Sequence, residues 1–224
     1  MNTNNKLFTP KHPALISIRL SLVLAIIGGY LDAYTFIDRG KVFANAQTGN
    51  IVLLGVNIAN GKLYNALLYF LPILAFVLGV LVSHYIKDIF TNNAEKIIII
   101  LEIIILLILS IIPVELPDTF VNIIISFIAS VQVSTFRKLL DYPYCSTMCT
   151  GNLRSASDAL FTYFKTKDKT QLRKLSAYIL IIIFFIIGAI LSAFFTINYG
   201  VKSLIICVIL LFISLGLLHF DIKK

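Results

Sequence analysis

Residues 175–197 read LSAYILIIIFFIIGAILSAFFTI, with no charged side chain in the run. As a helix this stretch is about 34 Å long, against about 30 Å of bilayer hydrocarbon. Its Ile and Phe would suit a buried strand, but strands seldom pass about ten residues. In lipid, a helix satisfies every backbone group within one segment. Five further runs have the same character: 20–37, 64–86, 97–114, 119–136 and 203–220. The chain of 224 residues is 58% hydrophobic and only 13% charged, with a mean hydropathy of +0.93. Soluble domains are about a quarter charged, so a water-soluble globule and a disordered chain are both excluded. The expectation is an all-α integral membrane protein with six transmembrane helices. The first run is too long for a signal-peptide core, is followed by no small-x-small cleavage site and contains Asp32, so it reads as a retained span.

The net charge of +8 is explained by where the basic residues fall. Fifteen Lys and Arg lie on the side of the termini, eight of them between Arg137 and Lys174, and four (Arg39, Lys41, Lys62 and Lys202) lie opposite. Basic loops stay cytoplasmic, which places both termini inside a bacterial plasma membrane. The excess suits anionic headgroups, and no nucleic acid partner is expected. With no Trp in the chain, Tyr30, Tyr64, Tyr85, Tyr142, Tyr178 and Tyr199 are the expected interfacial belt.

The chain repeats itself. Thr-Gly-Asn occurs at 48–50 and again at 150–152. Asp32-Ala33-Tyr34-Thr35-Phe36 matches Gln132-Val133-Ser134-Thr135-Phe136, and 76–83 (FVLGVLVS) matches 185–192 (FIIGAILS). Three spans per half, an odd number, turn the second half upside down, and the charge bias agrees with that inversion. The expected organisation is a cytoplasmic segment 1–19, a first repeat 20–116 with a short helix near 48–60, a second repeat 117–220 with a short helix near 150–164, and a tail 221–224. The short segments are expected to be re-entrant or interfacial helices, since irregular backbone at membrane depth survives only inside protein or along a wet cavity.

Gly29-Tyr30-Leu31-Asp32-Ala33, Phe43-Ala44-Asn45-Ala46-Gln47-Thr48-Gly49-Asn50 and the second Thr-Gly-Asn together resemble the YoaK-like family of bacterial membrane proteins, over about residues 14–220. Where the family pattern has an Asn-Ala pair, this chain has Gln132-Val133. The resemblance implies a multi-span bacterial plasma-membrane protein and brings no substrate.

Inverted repeats are typical of transporters with a site near the midplane. The expected solute-binding residues are Asp32, Asn45, Gln47, Thr48, Gly49 and Asn50 from the first half, with Gln132, Thr150, Gly151 and Asn152 from the second. Asp32 is the candidate coupling residue; the alternative is a carboxylate solvated at the outer interface, since the span ends near Ile37 and Asp38-Arg39 follow. Amides and hydroxyls of this kind bind polar groups but also cap helices. Glu102 is expected to snorkel toward the cytoplasmic edge near Lys96 and Glu95, or else to face the bundle interior and pair with a buried donor. Gly79 with Ser83, and Gly188 with Ser192, place small residues on one face and point to close helix packing. Cys145 and Cys149 lack the partners of a zinc site, and no His cluster, Walker loop or nucleophile elbow occurs. No catalytic residue, metal or cofactor is therefore expected. The expected partners are the lipid bilayer, an unidentified small solute and, in a homo-oligomer, further copies. The competing expectation is a scaffold or accessory subunit whose basic loop docks a protein or anionic lipid.

Overall fold

The structure, a computed structural model, describes residues 17–91, 93–112, 116–139, 142–143 and 149–222. It is α-helical. The helices are α1 (Ile18–Asp38), α2 (Gln47–Ala59), α3 (Leu63–Ile89), α4 (Ala94–Ile111), α5 (Asp118–Thr135), α6 (Cys149–Thr166), α7 (Lys169–Tyr199) and α8 (Ile205–Ile222). A 3-10 turn, Gly200–Leu204, joins the last two, and Lys138–Leu139 pairs with Tyr142–Pro143.

Among the described residues, four helical stretches are long and apolar enough to cross a bilayer: Ile18–Asp38, Leu63–Ile89, Asp118–Thr135 and the 52-residue run Lys169–Phe220. The last contains both of the final runs read from the sequence. The expected run 97–114 corresponds to α4, which carries Glu95, Lys96 and Glu102 and ends at Ile111. Residues 113–115 lie outside the described residues.

The distribution of side chains is that of a protein solvated by lipid. Large apolar residues cover the surface, among them Leu67, Phe70, Leu81, Ile186, Ile190 and Phe194. Small and hydroxylated residues are buried, including Ser83, Ser126, Ser130, Ser192 and Thr196. Where the surroundings are as apolar as Leu, close approach of small residues drives association. Helix α1 sits at the centre, its Leu24, Ile27, Tyr30 and Tyr34 packed with Tyr178 and Ile181 of α7, Ile99 and Leu106 of α4, and Cys207 and Leu211 of α8.

Two helix pairs dominate the packing, α1 with α7 and α3 with α5. A Cβ on Gly29 would stand 2.0 Å from the Phe185 carbonyl oxygen, and one on Gly79 would stand 1.9 Å from Ser130 Oγ. Both crossings are therefore closed to any larger residue. Beside them, α2 lies on α3 and α6 lies on α7. Ser83 and Thr135 hydroxyls bond at 3.2 Å, and Lys87 Nζ donates to the Ser134 and Thr135 carbonyls at 2.7 and 3.1 Å, so α3 and α5 finish together. At the other end, the termini of α1 and α4 and the beginnings of α5 and α8 surround a cavity of about 980 Å³. There Arg39 bridges to Asp118 at 3.1 Å and accepts the Asn122 amide on its carbonyl at 2.7 Å.

Two tyrosines depart from the expected belt. Tyr30 and Tyr178 are fully buried, and the Tyr30 hydroxyl donates to the Ser203 carbonyl at 2.8 Å. A buried phenol needs a partner, and the turn between α7 and α8 supplies one. Tyr64, Tyr85 and Tyr199 are exposed, while the Tyr142 side chain lies outside the described residues. Glu102 also departs from expectation. It is 2% exposed and turned inward, in the electrostatic range of Cys207, so it does not snorkel; its Oε1 has no hydrogen-bond partner.

Candidate functional site

Asp32 lies in the fourth turn of α1 and is 6% exposed. What satisfies it is the chain's own return. After α1, Gly40 (φ 76°) and Lys41 (φ 62°) reverse the backbone, a left-handed pair that glycine opens at little cost. Residues 42–46 then run back along the helix. The Asn45 backbone N–H donates to Asp32 Oδ1 at 2.7 Å, and the Ala44 and Ala46 amides also face the carboxylate. The Ala44 N–H donates to Thr35 Oγ1 at 3.2 Å, and Asn45 Nδ2 donates to the Gly28 carbonyl at 3.0 Å. A segment with few regular backbone partners is thus pinned to α1 by side chains, as buried backbone groups require.

The start of α2 is locked in turn. Asn50 is fully buried; its Nδ2 donates to the Phe43 carbonyl at 2.6 Å and to Gln47 Oε1 at 2.9 Å, while its Oδ1 accepts from the Phe43 N–H at 3.2 Å. Gln47 Nε2 donates to the Ala44 carbonyl at 2.8 Å.

Between these elements lies a cavity of about 840 Å³. Asp32, Asn45, Gln47 and Thr48 line it from the first half, and Thr150 and Gly151 from the second. The two Thr-Gly-Asn segments therefore open on one space, beside the acid of α1. The other sequence candidates stand back from the wall. Gly49 packs under the Phe43 ring, where an added Cβ would lie 3.1 Å away. Asn50 holds the return segment, Asn152 is buried within α6, and Gln132 reaches the Leu24 carbonyl at 3.5 Å. Gly79 and Ser83 face α5; Gly188 faces α1, and Ser192 lies 3.4 Å from the Thr196 hydroxyl.

The sequence reading missed the rest of the wall: Phe36, Phe43, Phe76 and Phe185, with Gly29, Ala33, Ile51 and Ala189. Phe36 and Phe43 stack at 4.9 Å, and Lys41 Nζ sits 4.8 Å from the Phe36 ring centroid. The matched Phe76 and Phe185 of the two repeated segments are the one signal that could have found part of this wall. Arg154 and Asp158 approach only to 4.0 Å on an exposed face, a contact that adds little.

A family described as "Protein of unknown function (DUF1275)" matches residues 20–217. The "UPF0700 transmembrane protein YoaK" of Bacillus subtilis (strain 168) is 28% identical over 184 residues, which cover 76% of this chain and 80% of that protein. No solved structure matches.

Proposed function

The chain belongs to the DUF1275 family of YoaK-like membrane proteins, and from that premise we propose that it is a secondary transporter or facilitator of a small solute, performing no chemistry on what it carries. The observation that carries this reading is the shared cavity: both Thr-Gly-Asn segments border one space beside an acid buried in a bilayer-crossing helix. Intramembrane acids mark solute and ion pathways.

The reading includes a six-span chain in a bacterial plasma membrane, both termini cytoplasmic, built as a 3+3 inverted repeat. Its support is in the packing. If α1 corresponds to α5 and α3 to α7, the pair α1–α7 exchanges with α5–α3, and α2 on α3 exchanges with α6 on α7. Each of these contacts is present. Gly188 meets the Ile26 carbonyl as Gly79 meets the Phe127 carbonyl. Broken segments meeting near the midplane suit rocking of one bundle against another.

The test is uptake by purified protein in liposomes under imposed proton or sodium gradients, across a broad solute panel, with Asp32→Asn alongside. Uptake that the substitution abolishes or uncouples from the gradient supports the reading. An inert wild type across the panel counts against it.

One observation favours the scaffold reading. Leu153, Phe161 and Phe164 are exposed along α6, and Arg154, Lys165 and Lys167 accompany them, a pattern suited to an anionic membrane surface. If neutralising these three cations abolishes the cellular phenotype while Asp32→Asn does nothing, this reading takes precedence.

A further inference from the structure

The wall of the Asp32 cavity is chemically lopsided. Four phenylalanines border it from four separate segments: Phe36 from α1, Phe43 from the return segment, Phe76 from α3 and Phe185 from α7. Among the described residues on the wall there is one carboxylate, Asp32, and no Lys, Arg or His. Asp32 keeps 6% of its surface open, the one formal charge that the lining offers. Aromatic faces carry negative potential and attract cations; Phe36, stacked on Phe43, already holds Lys41 Nζ 4.8 Å from its centroid.

Resting on the reading of this cavity as the solute site, we propose that it takes a monovalent organic cation, a protonated amine with an apolar body. The ammonium faces the Asp32 carboxylate, and the body lies among the phenylalanines. The volume, about 840 Å³, is in the range of small-molecule sites. The start of α6 works the other way, since helix N-termini favour anions, and this makes a carboxylate the informative competitor.

The experiment measures binding of radiolabelled 2-phenylethylammonium and cyclohexylammonium to the full-length protein in detergent at neutral pH. Competitors are 2-phenylethanol and 3-phenylpropionate, which keep an aromatic body and change the charge. The expected result is binding of at least one cation, competition by the alcohol at least about tenfold weaker, and none by the carboxylate. Asp32→Asn weakens cation binding about tenfold or more, and Phe76→Leu weakens it about three- to tenfold. Should Asp32→Asn fail to fold, as judged by thermal unfolding, Phe76→Leu carries the test.

Equal or better competition by phenylpropionate overturns the proposal, as does indifference to both substitutions or absence of binding by both cations at millimolar concentration. Uptake by liposomes separates this from the transport reading. Cation binding without movement keeps the ligand class and removes transport. Movement of another solute that neither cation inhibits keeps transport and removes the class.

Discussion

A Cβ placed on Gly188 would stand 2.0 Å from the carbonyl oxygen of Ile26. Helix α7 can therefore lie against α1 at this depth only with hydrogen in that position. The contact is backbone on backbone, so no rotamer can relieve it. Three residues away in the same crossing, Gly29 of α1 meets α7 in the same way at Phe185.

Gly188→Ala is expected to destabilise the protein by about 1–3 kcal/mol, the usual cost of overfilling a packed interface, and Gly188→Leu to prevent its assembly. Gly216→Ala, with nothing within 4 Å of the added carbon, is the control. Thermal unfolding in detergent with size-exclusion profiles reads both. Equal midpoints for Gly188→Ala and Gly216→Ala would show that α1 and α7 do not pack as described.

Glu102 faces the interior of α4 with Oε1 unpaired, and a lone buried acid stabilises nothing. Glu102→Leu is expected to raise stability by about 1–3 kcal/mol, the desolvation cost of a buried polar group left without a partner. Chemical unfolding of the two proteins checks it. A lower midpoint for the leucine variant would mean that the carboxyl makes an interaction in the native protein that the geometry does not contain.

Asp168 caps α7, accepting from the Thr170 N–H at 2.9 Å and from the Thr170 hydroxyl. The Thr170 hydroxyl first, and its N–H second, hold the Asp168 carboxyl below the usual carboxylate range. A depressed value means that the contribution is present above the unfolded carboxyl's pKa and is lost as pH falls through the native one. Hydrogen exchange of the first-turn amides of α7 should therefore accelerate, relative to the helix centre, on acidification below the carboxylate range. In Asp168→Asn that pH dependence should disappear. An unchanged acid profile in the variant would assign the effect elsewhere.

The proposed inverted arrangement makes a two-sided prediction. With Cys145, Cys149 and Cys207 replaced, a single cysteine at Ala46 should react with an impermeant maleimide from outside intact cells. One at Ser155 should react only with a permeant reagent. Labelling of both from the same side would remove the two-fold relation between the halves.

How much of this was legible beforehand depended on whether an interaction is local in sequence. Long charge-free runs declare helices in lipid, and an acid inside such a run declares itself, so Asp32 stood out. Its partner did not. Asn45 reaches Asp32 only because the chain reverses at Gly40 and Lys41, and a lysine with positive φ carries no sequence signature. The repeated Thr-Gly-Asn was visible as a pattern, but its convergence on one cavity is a product of how α1 and α7 cross. The phenyl rings were invisible for a different reason. Phe70 and Phe76 share one helix and one chemistry, yet the first is exposed toward lipid and the second lines the cavity. Tyr30 and Tyr178 were misread because a tyrosine near a span end looks the same whether its hydroxyl meets water or, as for Tyr30, a carbonyl on another helix.

The pairing of α1 with α7 and of α3 with α5 also sets a timetable for biosynthesis. Each close pair takes one helix from either side of the chain's midpoint, so neither half can complete its own packing when it leaves the ribosome. At roughly 5–20 residues per second, α1 is inserted on the order of 10 s before α7 exists. Through that interval the crossing face of α1 at Ile26 and Gly29 has only provisional neighbours, and Tyr30 has no Ser203 carbonyl to bond. During this time α3 and α5 can already meet while α1 waits for its partner, and the last quarter of the chain closes the bundle.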